Sequence, residues 1–122
     1  KEELDLTYLF ITHDLATCKY ICDHIAIMYL GRIVEMGPLA EVFADPLHPY
    51  TKTLLEAVPV PDPAFRRTEP IPRGEIPSPV DPPPGCCFHP RCAYVQPVCR
   101  TRRPELVEAG SGHLVACRVV AR

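Results

Sequence analysis

Cys86, Cys92, Cys99 and Cys117 fall in the last third of the chain, spaced C-x5-C-x6-C-x17-C behind a short proline-rich run. Four thiolates gathered at one point can hold an iron-sulfur cluster or a zinc ion, and either would help fold a segment too small and too proline-rich to fold well alone. The spacing leaves that choice open. Zinc ribbons and fingers commonly carry close C-x2-4-C pairs, and neither the bacterial ferredoxin pattern nor the plant-type one is present. Cys87, beside Cys86, is a rival for the first ligand position. His89 and His113 are reserve ligands, better read as packing or hydrogen-bonding residues around the thiols. Near the other end, Phe10-Ile11-Thr12-His13-Asp14 sets a histidine directly after an apolar run. The two ring nitrogens of histidine can contact an anionic group on one side and be fixed by a neighbour on the other. Taken by itself, the Thr12-His13-Asp14 triplet reads as a polar turn that caps a helix.

The elements that must hold these residues are marked in the sequence. Leu6–Ile11 is a short apolar run rich in β-formers, which predicts a buried, parallel strand. Leu15, Cys18 and Cys22 recur at i, i+3 and i+7, which predicts a helix over 14–22 with its two thiols serving as small buried hydrophobes. Ile25–Tyr29 and Arg32–Met36 flank Leu30-Gly31 and form a hairpin. Gly37-Pro38 breaks the hairpin and opens a short helix with Pro38 at its first position, burying Leu39, Val42 and Phe43. His48-Pro49-Tyr50-Thr51 opens another, with Tyr50, Leu54, Ala57 and Val58 on one face, and Pro59 stops it. His48 is read as a helix cap or solvent-facing residue and Tyr50 as a half-buried aromatic. Glu35 and Asp14 are read as charges at element ends that are solvated or face a helix dipole. These pieces amount to half an α/β domain, because a buried parallel strand needs parallel neighbours that the 122 residues do not contain.

Composition divides the chain in three. Sixteen of 122 residues are proline, more than twice the ordinary usage of roughly 5 %. Ten of the sixteen lie between Pro59 and Pro84, a stretch expected to be extended and stiff. Residues 1–58 carry 4 Lys or Arg against 9 Asp or Glu, whereas 59–122 carry 9 Arg against 6 acids. The overall charge of −2 offers no broad electrostatic footprint for nucleic acid. Arg91, Arg100, Arg102 and Arg103 surround the cysteines, where they could face solvent, balance thiolate charge or dock on an acidic surface. Seven cysteines with no secretory signal favour a reducing compartment, where close cysteines serve metals more than disulfides. No run approaches the roughly 18 apolar residues of a membrane span.

The block Leu6-Thr7-Tyr8-Leu9-Phe10-Ile11-Thr12-His13-Asp14-Leu15, the hairpin Met28–Glu35 and the opening His48-Pro49-Tyr50-Thr51 resemble the ATP-binding subunits of ABC peptide importers. The tail, with Gly85-Cys86, Phe88, Arg91-Cys92, Cys99, Pro104, Leu106, His113 and Val115-Ala116-Cys117, is similar to the C-terminal extension of the dipeptide and oligopeptide members. The resemblance implies three parts: 1–58, the C-terminal part of an α/β P-loop nucleotide-binding domain; 59–84, a proline-rich linker; and 85–122, a small irregular extension with a four-cysteine site. It implies that His13 is the switch histidine, which senses the γ-phosphate of ATP held with Mg2+. It also implies that Cys86, Cys92, Cys99 and Cys117 hold a 4Fe-4S cluster, as in some members, with zinc the alternative.

The expected partners are a second ATP-binding subunit, transmembrane permease subunits and, indirectly, a peptide-binding protein. The expected place is the cytoplasmic face of a bacterial or archaeal membrane. The family's Gly-rich phosphate loop, signature motif and magnesium-binding carboxylate are not in these residues, so the chain is expected to be a C-terminal piece, inactive as an ATPase alone. The competing expectation is a non-enzymatic metal-binding or interaction module that retains this region.

Overall fold

A computed structural model describes residues 4–59, 64, 66 and 71–120. Helix α1 (Leu15–Ile21) starts at Asp14, whose carboxylate accepts the Ala16 N–H at 2.9 Å and the Thr17 hydroxyl. These bonds satisfy donors that the first helical turn leaves open. A hairpin follows, β1 (His24–Tyr29) antiparallel to β2 (Arg32–Pro38). Its two turn residues, Leu30 and Gly31, both have positive φ, 48° and 74°, the backbone that matches the twist of a two-residue hairpin. The side-chain alternation of β1 turns Ile27 and Tyr29 into the core, where they meet Val34, Cys87 and Phe88.

Helix α2 (Leu39–Ala44) begins one residue later than expected, because β2 runs through Pro38 and that proline becomes the cap residue. Helix α3 (Pro49–Ala57) is capped by His48, whose Nδ1 accepts the Tyr50 N–H at 3.1 Å. The cysteine-bearing tail contains a 3-10 turn at His89–Arg91, helix α4 (Pro97–Thr101) and a second hairpin, β3 (Val107–Gly110) with β4 (His113–Val115). Strand β4 lies antiparallel on β2, Glu35 opposite Val115 and Met36 opposite Leu114, giving the strand order β1-β2-β4-β3. The tail therefore adds two strands to the sheet begun by the first hairpin.

The expected buried parallel strand at Leu6–Ile11 does not form. The segment has no regular structure and its side chains face outward, Leu9 at 91 % and Ile11 at 88 % exposure. A parallel strand exists only between partners that take its backbone hydrogen bonds, and every strand pairing among the described residues is antiparallel. Of the expected proline spacer, residues 60–63, 65 and 67–70 lie outside the described residues, and 71–84 contain neither helix nor strand.

The two halves are joined at Glu35, which is not the solvated strand-end charge the sequence suggested. It is fully buried at 0 % exposure. Its Oε1 accepts the Leu47 N–H at 2.8 Å and lies 2.6 Å from Nε2 of His113; its Oε2 accepts the His48 N–H at 2.8 Å. One carboxyl thus binds β2 to the turn before α3 and to β4. Three aromatic rings, from β1, α3 and the tail, also pack across the two halves: Tyr29–Tyr50 at 4.7 Å, Tyr29–Phe88 at 5.2 Å and Tyr50–Phe88 at 5.4 Å between centroids.

Replacing Glu35 by Ala strands two backbone donors and a buried imidazole, and should cost about 3–5 kcal/mol, read as a lowered urea midpoint. Glu35→Gln keeps an acceptor oxygen and should cost less. A second expectation concerns pH. Burial holds the His48 imidazole below its ordinary value of 6.5, at about 4, against a smaller opposing pull from Glu35. The unfolded chain takes up the proton near 6.5 and the folded one does not until about 4, so stability falls as pH drops through that window and no further below it. The loss should reach about 3 kcal/mol and be absent from the pH profile of His48→Asn, measured by denaturation at each pH.

Candidate functional site

Cys86, Cys92, Cys99 and Cys117 line one open cavity. Each is set there by a different local device. Gly85 has φ +72°, and a Cβ on it would sit 2.3 Å from the Cys99 carbonyl oxygen, so only glycine lets the two segments approach. That approach is closed by the Cys86 N–H donating to the Cys99 carbonyl at 2.8 Å. Cys92 ends the 3-10 turn, and Cys99 lies within α4, begun by Pro97. Cys117 lies two residues past the end of β4, after Ala116, whose N–H donates to the Val34 carbonyl at 2.8 Å and fixes the strand end.

Cys87 points the other way. Its thiol lies 3.8 Å from the Tyr29 carbonyl, within the hydrophobic core beside Phe88, and it is Cys86 that lines the cavity. Cys18 and Cys22 sit on α1 and at its end, and neither belongs to the cavity lining. Of the two reserve histidines, His113 is committed to Glu35, while His89 lines the cavity with Nδ1 2.9 Å from the Cys86 carbonyl oxygen. His48 was read from the sequence as structural, and it does cap α3. It also lines the cavity at 1 % exposure, a placement its sequence position beside a proline gave no sign of. Arg102 and Arg118 belong to the lining too, their side chains reaching it from exposed positions.

Burial pushes the Cys86 thiol up to about 11, with Cys87, Cys117 and Cys99 adding smaller contributions in the same direction. It raises Cys92 too, with Cys117 and Cys99 again contributing. Thiols in such surroundings stay protonated unless a cation compensates the charge, which is what a bound metal centre supplies. Among the described residues, no group of three or more His, Cys, Asp or Glu side chains is placed to hold a single metal ion. Cys86, Cys92, Cys99 and Cys117 thus share a cavity lining without being grouped as a single-ion site.

His13 lies apart from this cavity, exposed at the turn into α1. Its neighbour Asp14 donates its N–H to Thr12 Oγ1 at 3.0 Å and accepts from Ala16 and Thr17. The hydrogen bond from the Thr17 hydroxyl is the main cause that lowers the Asp14 carboxyl below its ordinary value. Asp14 is thus a helix cap that fixes the turn carrying His13. Among the described residues no helix is long and apolar enough to cross a membrane.

Residues 34–99 match the family described as the oligopeptide/dipeptide transporter, C-terminal region. The chain is 50 % identical over 121 residues to a probable peptide ABC transporter ATP-binding protein of Sinorhizobium fredii, covering 99 % of this chain and 34 % of that protein. It is 45 % identical over 121 residues to an oligopeptide transport ATP-binding protein of Bacillus subtilis, covering 98 % of this chain and 37 % of the other. The chain spans about a third of the length of these curated relatives. With more than half of its residues inside the family match, the chain belongs to the oligopeptide/dipeptide transporter C-terminal region family.

Proposed function

We propose that this chain is the C-terminal portion of the ATP-hydrolysing subunit that drives peptide import through an ABC transporter. The observation that carries this reading is identity of 45–50 % across nearly the whole chain with ATP-binding proteins of peptide transport. In the intact subunit, ATP with Mg2+ is gripped by a phosphate loop outside these 122 residues, and His13 meets the γ-phosphate. Three features of the chain suit that role. Asp14 anchors the turn beside His13, the imidazole is exposed for contact, and the outward-facing Leu6–Ile11 run offers the surface that parallel strands would cover. The subunit works with a second ATP-binding subunit of the same or a related kind and with membrane-spanning permease subunits, which receive peptide from a binding protein. Its place is the cytoplasmic face of the membrane.

The cysteine cavity is the second functional element of the proposal. Cys86, Cys92, Cys99 and Cys117 hold a 4Fe-4S cluster. The support is the placing of four soft donors in the lining of one cavity, a donor set that suits an iron-sulfur centre, with zinc the alternative. A group bound by these four thiols would cross-link the 3-10 turn, α4 and the segment after β4, a structural use that needs no electron partner.

Two outcomes test the proposal. In the complete subunit, His13→Ala should lower ATP turnover by ~10²-fold to 10³-fold while leaving nucleotide binding nearly intact, the loss expected when one transition-state hydrogen bond goes. Unchanged turnover in a folded variant would remove His13 from the reaction. Protein purified without oxygen should be brown, with iron and acid-labile sulfide at about four each per chain. Both should be lost in Cys99→Ser, and one zinc with no sulfide would replace the cluster by the single ion.

A further inference from the structure

His48 occupies an unusual position: it is the cap of a helix, a neighbour of a buried carboxylate and part of a sulfur-lined cavity at once. Its backbone N–H is held by Glu35 Oε2 at 2.8 Å, and its Nδ1 accepts the Tyr50 N–H at 3.1 Å. A ring nitrogen that accepts a backbone N–H carries no proton, so the proton of the neutral imidazole resides on Nε2. The ring is 1 % exposed and packs against Phe88, centroids 5.8 Å apart with the planes tilted by 57°. Backbone anchor, cap bond and aromatic neighbour together leave it little freedom to turn. The one donor it has left belongs to a side chain that lines the cavity with Cys86, Cys92, Cys99 and Cys117.

The other polar side chains of the lining are less suited to a buried donor role. His89 has one nitrogen at the Cys86 carbonyl, and Arg102 and Arg118 are exposed residues, Arg118 also reaching the Arg103 carbonyl at 3.4 Å. We propose that His48 is the positioning residue of the cysteine cavity, its Nε2–H donating a hydrogen bond to the sulfur of the group held there. This rests on the four-cysteine reading given above. An N–H bond to thiolate or sulfide draws off negative charge, and hydrogen bonding to the sulfurs is one of the controls on the reduction potential of an iron-sulfur centre. The same residue would tie the cavity, through its backbone N–H, to Glu35 and so to β2 and β4.

Two substitutions separate the ring's two duties. In His48→Asn the amide oxygen takes the place of Nδ1 and keeps the helix cap, while nothing reaches the position of Nε2. In His48→Gln the longer amide brings an N–H to that position and the cap is lost. The complete subunit and both variants would be purified without oxygen, assayed for iron and sulfide, and titrated for midpoint potential by electron paramagnetic resonance. His48→Asn should keep its iron and its fold and show a midpoint shifted to lower potential. His48→Gln should be less stable to denaturant yet have a midpoint near that of the unaltered protein. An unshifted midpoint in His48→Asn overturns the proposal, and so does an equal shift in both variants, which would trace the effect to the helix cap. Unaltered protein without iron and sulfide would instead defeat the four-cysteine reading, an outcome distinct from a loaded centre indifferent to His48.

Discussion

A carboxylate with no exposure to water must be fully bonded or it costs several kcal/mol, and Glu35 meets that condition only when three segments arrive together. Its partners lie 12, 13 and 78 residues away along the chain. The turn before α3 supplies two backbone donors and β4 supplies an imidazole. A slip of one residue in β2 would carry the carboxylate to the opposite face of the sheet and leave all three partners unsatisfied. The register of β2 against β4 is therefore set by the polar contact as much as by Val34 and Val115 in the core. A buried polar contact of this kind adds modest net stability beside an apolar replacement, and here it selects one arrangement of three elements.

That selection reaches the cysteines through covalent geometry. Cys117 is two residues beyond Val115, the residue paired with Glu35, so fixing β4 fixes the last thiol. His48 is placed by the same carboxylate and forms one wall of the cavity. At residues 86–88 successive side chains serve different purposes: Cys86 faces the cavity, while Cys87 and Phe88 enter the core with Tyr29. The aromatic packing of Phe88 thereby positions Cys86. Gly85 completes the device, since any side chain there would strike the backbone of α4 and push Cys99 away from Cys86.

The local elements were legible in the sequence because each rests on short-range chemistry. Asp14 before an apolar stripe, Leu30-Gly31 between two strand-like runs and Pro49 at a first helical turn gave α1, the hairpin and α3 close to their observed limits. The four cysteines were singled out together from their spacing, and all four line one cavity, though they are not grouped there as an ion site. What stayed hidden was long-range. Glu35 looks like an ordinary charged strand end until β4 is known to cover it, and β3 and β4 are too short, with Gly110 ending one and Gly112 in the turn, to announce a hairpin by alternation. Leu6–Ile11 failed in the opposite sense. Its composition is that of a buried strand, but composition cannot supply the partners that make one.

The boundaries of the family match make the same point physically. Residues 34–99 include Glu35, His48, Cys86, Cys92 and Cys99, yet the match stops before His113 and Cys117. The structure uses His113 to complete the bonding of Glu35, and Cys117 joins the other three cysteines in the cavity lining, so the smallest self-consistent unit runs on to the end of β4 and just past it. His13 stands outside that unit, on a turn fixed by its own helix cap and preceded by an uncovered apolar run. The two candidate sites thus differ in what they need. The cysteine cavity is assembled by long-range contacts within these residues, whereas the histidine turn is formed locally by its own helix cap.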